Sequence, residues 1–283
     1  MQTILDRQKA APLFENFKWN YMAQAILEGN HGEVRVDDPG QPNLAVLYLP
    51  ALRLGIVGGD PAHPAAEAYI SGIKKRSFLM FADQFEAWDA LGKKYHDVAF
   101  FEVTRYAFTS EKLDADHLKS LRDRDLGELT LKPLDLEMVR KLSAEKSELS
   151  EDHFINFASP EDFIEKGFGF AILEGEQVVS LATTFVVCEA GIEIQINTRK
   201  KYEGRGLGTT VAAALIVESL ARGLDPSWDA ATERSAGLAK KLGYTEQGEY
   251  PMYVVFGSKL MVKFLLWLRK VMGRDKKKGE DTD

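Results

Sequence analysis

The residues best suited to chemistry crowd into one stretch, Ile196-Asn-Thr-Arg-Lys-Lys-Tyr-Glu-Gly-Arg-Gly-Leu-Gly-Thr-Thr-Val211. Gly204, Gly206 and Gly208 stand at alternate positions, where a backbone without Cβ atoms can approach a ligand closely and turn its N–H groups outward. Leu207, Val211 and Leu215 then return at helical spacing, and Gly223 stands where a C-terminal cap is expected. A glycine turn opening a helix is an anion cradle, because the first N–H groups lack partners and carry partial positive charge. Pyrophosphate suits it. A Walker loop would end in Gly-Lys-Ser/Thr where this chain reads Gly-Leu-Gly-Thr, and the dinucleotide fingerprint G-x-G-x-x-G lacks its last glycine. Immediately upstream, in Gly191–Thr198, Glu193, Gln195 and Asn197 share one face of a strand, opposite Ile192, Ile194 and Ile196. Glu193 is therefore a candidate general base, and equally the solvated side of an alternating strand.

Those residues need a scaffold, and the patterning supplies one. In the first half, residues 13–30 read as a helix, from Phe14, Phe17, Tyr21, Ala25 and Ile26 at helical spacing. Strand runs follow at 32–37, 44–48 and 54–57, a helix at 61–75 opening on Pro61, then strand 77–82, helix 83–95 and strand 98–108. The charged stretch 110–127 is either a linker, with a domain boundary near Leu126, or a surface helix within one continuous domain. Beyond it come strand 128–131, helices 134–146 and 160–167, and strands 168–174, 177–188 and 191–198. The glycine turn, helix 207–221, a strand near 228–231, helix 235–242 and strand 250–256 complete the pattern. No repeat of fixed period is visible. The expected fold class is α/β (α+β): a mixed, mostly antiparallel sheet flanked by helices. The expected divisions are a smaller α/β domain at 1–126, a second domain at 127–257, and a basic amphipathic helix with charged tail at 258–283.

Composition narrows the function classes. The 283 residues are 45% hydrophobic and 10% aromatic, enough for a sizeable core and too apolar for a disordered chain. A net charge of -7 argues against broad nucleic-acid binding. One cysteine, Cys188, excludes a disulfide framework and a thiolate zinc site, and five widely spaced histidines offer no metal-ligand pair. No apolar run is long enough to span a bilayer and the N-terminus lacks a secretory pattern, so a cytoplasmic protein is expected. Residues 258–283 carry eight basic and four acidic side chains, a pattern that lies on an anionic membrane, docks a partner, or packs on its own protein.

The turn is not alone. Glu203-Gly204-Arg205-Gly206-Leu207-Gly208 resembles the Q/R-x-x-G-x-G/A phosphate loop of the GCN5-related N-acetyltransferase (GNAT) superfamily. The stretch Thr232-Glu-Arg-Ser-Ala-Gly-Leu-Ala-Lys-Lys-Leu-Gly-Tyr244 follows the register of its next motif. Phe14-Glu15-Asn16 and Gly32-Glu-Val-Arg-Val-Asp-Asp38 resemble the first half of a two-part bacterial branch that includes zwittermicin-resistance-type enzymes. The resemblance implies the GNAT fold over the second half, with the first half a degenerate relative that walls the acceptor cleft. It implies acetyl-CoA as co-substrate, no metal, and direct transfer to a primary amine of a small molecule within a ternary complex. By register, Ile196, Asn197 and Thr198 meet the pantetheine arm, and a strand amide near Ile196 stabilises the developing oxyanion. Glu203, Gly204, Arg205, Gly206, Leu207, Gly208 and Thr209 surround the pyrophosphate, and Thr232 joins the cofactor side. Glu193 is the expected base. Two residues depart from the pattern: Glu203 replaces Gln/Arg, and Ala239 replaces the tyrosine acid, leaving Tyr244, Tyr250 or Tyr253 as substitutes. These departures keep open a non-catalytic acyl-CoA-binding or scaffold protein, and an open acidic groove would instead favour protein amines.

Overall fold

A computed structural model describes residues 1–145, 147, 149–256 and 262. The helix expected after Ser258 lies outside the described residues. The first half runs β1 (Gln2–Ile4), a 3₁₀ segment (Arg7–Phe14), α1 (Met22–Leu27), β2 (Glu33–Val36), β3 (Leu44–Leu49), β4 (Leu54–Gly59), α2 (Pro64–Ser71), β5 (Ser77–Phe81), α3 (Phe85–His96) and β6 (Phe100–Thr109). After α4 (Ala115–Arg122), the second half runs β7 (Thr130–Pro133), α5 (Leu136–Glu145), α6 (Pro160–Lys166), β8 (Gly169–Glu174), β9 (Gln177–Val187), β10 (Gly191–Thr198), α7 (Leu207–Ala221), β11 (Asp225–Ala230), α8 (Glu233–Leu242) and β12 (Thr245–Val255).

The strands form one sheet in the order β1-β2-β3-β4-β5-β12-β6-β11-β10-β9-β8-β7. Read from its two edges, this order is a repeat. In each half three antiparallel pairs lead to a parallel pair across a helix, β4-α2-β5 and β10-α7-β11. A further helix and a last strand follow. The last strands are exchanged: β12 pairs with β5 and β6 pairs with β11, both antiparallel, and the two exchanged strands pair with each other along the middle of the sheet. The repeat lies in topology and not in residue spacing, so a search for a fixed period does not reveal it. The fold is the mixed, mostly antiparallel α/β sheet expected, with helices on both faces.

Two expectations in the first half are corrected. Residues 13–30 are not one helix: the 3₁₀ segment ends at Phe14 and α1 begins only at Met22. The backbone between them is recruited elsewhere, since the Tyr21 amide donates to Glu193 and the Asn20 carbonyl side-chain oxygen accepts from Met22 N at 3.1 Å. The helix placed at 61–75 opens at Pro64, because the His63 ring accepts from Ala65 N and caps it. The charged stretch 110–127 carries α4, whose Leu118 is fully buried against α7 and α8.

Each half has a core on either face of the sheet. The Arg7–Phe14 segment and α1 cover one face of the first half, α2 and α3 the other. In the second half α4, α7 and α8 cover one face, α5 and α6 the other. The α1 cluster also takes in Val186, Tyr250 and Met252, so the first half packs directly over the second half's strands. His31 pins this junction: its Nε2 accepts from Val187 N at 3.0 Å while Nδ1 meets the Asn156 carbonyl at 3.0 Å. That pairing fixes a neutral ring with its proton on Nδ1.

Candidate active site

β10 and β11 run side by side for only three residue pairs, Gly191 with Asp225, Ile192 with Pro226 and Glu193 with Ser227. At that point β10 shifts register against β9, between Glu193 and Ile194. β11 instead continues along β6, from Trp228 to Ala230. Among the described residues no strand pairs with the β11 side of Ile194–Thr198. An unpaired strand edge inside a sheet is a template for an extended chain. Ile194 and Ile196 turn their side chains into the clusters beneath α7 and α8. The Asn197 side chain donates to the Leu149 carbonyl at 3.2 Å, and the Thr198 hydroxyl meets Ser180 Oγ at 2.7 Å. The side chains of these strand residues are thus occupied, and the backbone edge is what they offer.

The open edge leads to the glycine turn. Gly206 caps α7 in the left-handed region, at φ +77°, and accepts from the Thr209 and Thr210 amides. The amides of Leu207 and Gly208 then open the helix without intrahelical acceptors. Glu203 does not point into this cradle: its carboxylate pairs with Arg234 at 3.0 Å, on α8. The Arg205 guanidinium lies 5.4 Å from the centre of the Tyr202 ring, and the Tyr202 hydroxyl donates to Glu174. Thr232 is the N-cap of α8, accepting from Ser235 N at 3.2 Å. One lone pair of its hydroxyl is therefore used by the helix. Residues 196–209 run from the open edge into the turn and α7, and Thr232 takes a capping position on α8. The cradle and the open edge fit a phosphate-bearing extended ligand such as coenzyme A.

Glu193 sits where the strands part, only 5% exposed. One carboxylate oxygen accepts from Tyr21 N at 2.7 Å, and the Ser227 hydroxyl also hydrogen-bonds it. Burial, reinforced by the negative charge of Asp229, pushes its pKa up to about 8. Asp229 itself is held by Arg105 at 2.8 Å. On the side of Glu193 away from the glycine turn lies a cavity of about 340 Å³, walled by Phe17, Trp19, Asn20 and Tyr21 of the first half and by Asp225 and Ser227 of β11. The Tyr21 hydroxyl donates to Asp225 at 2.8 Å, Trp19 stacks on Tyr250 at 4.8 Å, and Asn20 donates to the Tyr250 hydroxyl at 3.2 Å. Glu193 does not itself line the cavity, but Tyr21 and Ser227 of its wall both hydrogen-bond the Glu193 carboxyl group.

Tyr244 stands apart from this line. It is 4% exposed, tilted against Trp228, and its hydroxyl donates to the Pro226 carbonyl at 2.6 Å. Tyr253 belongs to the α2–α3 cluster. Cys188 is buried and its thiol pKa is pushed up to about 11 by that burial, which makes it a poor nucleophile. Among the described residues no cluster of His, Cys, Asp and Glu could hold a metal ion, and no helix is long and apolar enough to cross a membrane.

Sequence reasoning missed Trp19, Asn20, Tyr21, Asp225 and Ser227. Apolar spacing merged the first three into a helix. The β11 residues carried a usable signal: Asp225, Ser227 and Asp229 alternate with buried Pro226, Trp228 and Ala230.

A family profile described as GNAT acetyltransferase matches residues 11–253. The chain belongs to the GNAT acetyltransferase family and is an N-acetyltransferase. A Bacillus subtilis (strain 168) protein named uncharacterized N-acetyltransferase YdfB is 29% identical over 205 residues, 70% of this chain and 76% of that one. The crystal structure of a GCN5-related N-acetyltransferase-like protein from Streptococcus suis is 33% identical, with a TM-score of 0.77 over 88% of this chain and 97% of the other. A GCN5-related N-acetyltransferase from Kribbella flavida shares the fold at 13% identity, with a TM-score of 0.55 over 90% and 96% of the two chains.

Proposed function

We propose that this N-acetyltransferase takes its acetyl group from acetyl-CoA and delivers it to a primary amine of a small molecule, directly and within a ternary complex. The observation that carries the reading is the parting of β10 and β11 at Glu193, with an anion cradle at one end and a cavity at the other. The Leu207 and Gly208 amides bind the pyrophosphate, and the open backbone from Ile194 to Thr198 pairs with the pantetheine arm as a strand would. Bound acetyl-CoA supplies an activated thioester whose thiolate departs readily near neutral pH, since thiols titrate at about 8.5. An amide of the open edge near Ile196 donates to the thioester carbonyl oxygen, where negative charge develops. Glu193, ionised, accepts the ammonium proton of the acceptor and frees its lone pair for attack. Tyr21 and Ser227 hold that carboxylate in place. The cavity, about 340 Å³ and open to solvent on one side, is of a size for a small acceptor. Tyr244, Arg205 and Thr232 take structural parts in this scheme.

The division near Leu126 is proposed as a boundary between two copies of one strand–helix pattern, not between independently folding units.

Calorimetry with acetyl-CoA tests the reading, with Gly206→Asp alongside. Expected is binding by the wild type that disappears in the variant, followed by amine-dependent release of free thiol in an acceptor screen. A well-folded wild type that does not bind acetyl-CoA overturns it.

A further inference from the structure

The glycine turn has a neighbour that lies outside any loop motif. Arg124 stands in the bend between α4 and β7, far upstream in the sequence, yet its Nη2 donates to the Arg205 carbonyl at 2.6 Å. A Cβ placed on Gly206 would run into its Nη1, so the guanidinium lies across the cap of α7. Its position is set by α4, which is pinned to the same helix: Leu118 is buried there, and the Thr210 hydroxyl donates to the Leu121 carbonyl at 3.0 Å.

Three facts bear on what Arg124 does. One donor of its fork of five is used on Arg205, and among the described residues no carboxylate pairs with it. It stands beside a helix N-terminus, where partial positive charge makes a cation unwelcome unless an anion lies between them. The long side chains of the turn itself are engaged elsewhere, Glu203 with Arg234 and Arg205 over Tyr202. The fork therefore faces the cradle with donors to spare.

We infer that Arg124 is a ligand for the pyrophosphate of coenzyme A, closing over it from the side opposite the Leu207 and Gly208 amides. The inference rests on the proposed use of acetyl-CoA. It gives the turn the cation that Glu203 withholds, and it makes the charged segment after α4 part of the binding site. A guanidinium suits the task because its planar fork matches two phosphate oxygens at once.

Calorimetric titrations of wild type, Arg124→Gln and Arg124→Lys with acetyl-CoA, 3′-dephospho-CoA and S-acetylpantetheine test this. Expected is a loss of about tenfold or more for Arg124→Gln with both nucleotide ligands, partly restored in Arg124→Lys and shrinking as salt is raised. S-acetylpantetheine, which carries no phosphate, is expected to bind all three proteins alike. The unliganded melting temperatures should agree, since the side chain is exposed. Equal acetyl-CoA affinity in wild type and Arg124→Gln overturns the inference and leaves the proposed function standing. A loss confined to acetyl-CoA and absent with 3′-dephospho-CoA moves the contact to the 3′-phosphate and overturns the pyrophosphate assignment. A folded wild type that binds none of the three ligands overturns the proposed function, and the role of Arg124 with it.

Discussion

The backbone amide of Tyr21 donates to the Glu193 carboxylate at 2.7 Å across 172 positions of the chain. The first half thus touches the proposed base directly. The same residue walls the cavity with its ring and reaches Asp225 with its hydroxyl.

Glu193 sets a pH dependence. Its pKa of about 8 leaves roughly one molecule in ten ionised at pH 7, so kcat/KM is expected to rise with pH and level off above about 8. Glu193→Gln should lower activity by about two to four orders of magnitude and abolish that rise. Stability runs the other way. The pKa is raised on folding, so the native state is favoured below the ordinary carboxylate range and loses that advantage as pH climbs through about 8. Melting curves between pH 5 and 9 should show a larger fall for wild type than for Glu193→Gln. A flat kcat/KM profile in the wild type would remove Glu193 as the base.

Tyr21→Phe keeps the ring and the backbone contact and deletes only the hydroxyl that meets Asp225. The expected effect is a rise in acceptor KM of about two- to tenfold, the worth of one hydrogen bond, with acetyl-CoA affinity unchanged. Steady-state kinetics with the amine varied would check it. An effect on acetyl-CoA alone would place the cavity on the wrong side of Glu193.

Tyr244→Phe separates packing from chemistry. The Pro226 carbonyl loses its donor in a buried setting, which costs about 1–3 kcal/mol of stability. Activity per folded molecule should stay within about twofold, since the hydroxyl proton is already committed. A collapse of kcat with unchanged binding would restore Tyr244 as the acid.

A fragment of residues 127–257 contains the glycine turn and α7 but not Arg124, and β11 and β12 would both lose β6. Such a fragment should be insoluble or lack a cooperative melt, where 1–257 should have one. Circular dichroism on the two proteins decides, and a cooperative fragment would mean that the second half tolerates the loss of its exchanged strand.

The parts legible in the sequence are those governed by local rules. The glycine turn and the helix at 207–221 follow from residue type and period, and each stands where it was expected, whereas the alternation through Glu193 is interrupted by the register shift between Glu193 and Ile194. The stretch from Phe17 to Tyr21 was opaque because its apolar spacing imitates a helix while its backbone is claimed by Glu193 and its side chains by the cavity. Arg124 was opaque for a similar reason: one charge in a charged run has no local mark, and only the packing of α4 on α7 sets it over Gly206. Thr232 occupies a motif position, but local capping uses one lone pair of its hydroxyl.

The exchange of β6 and β12 reaches into how the chain is made. Both neighbours of β6 come from residues beyond 225, so a ribosome must deliver more than a hundred further residues before that strand finds either side of its ladder. Until then the nascent first half presents bare strand edges on β5 and on both sides of β6, the kind of surface that chaperones shield and that aggregates seek. Once β12 slides between them, the halves are woven together and cannot swing apart on a hinge.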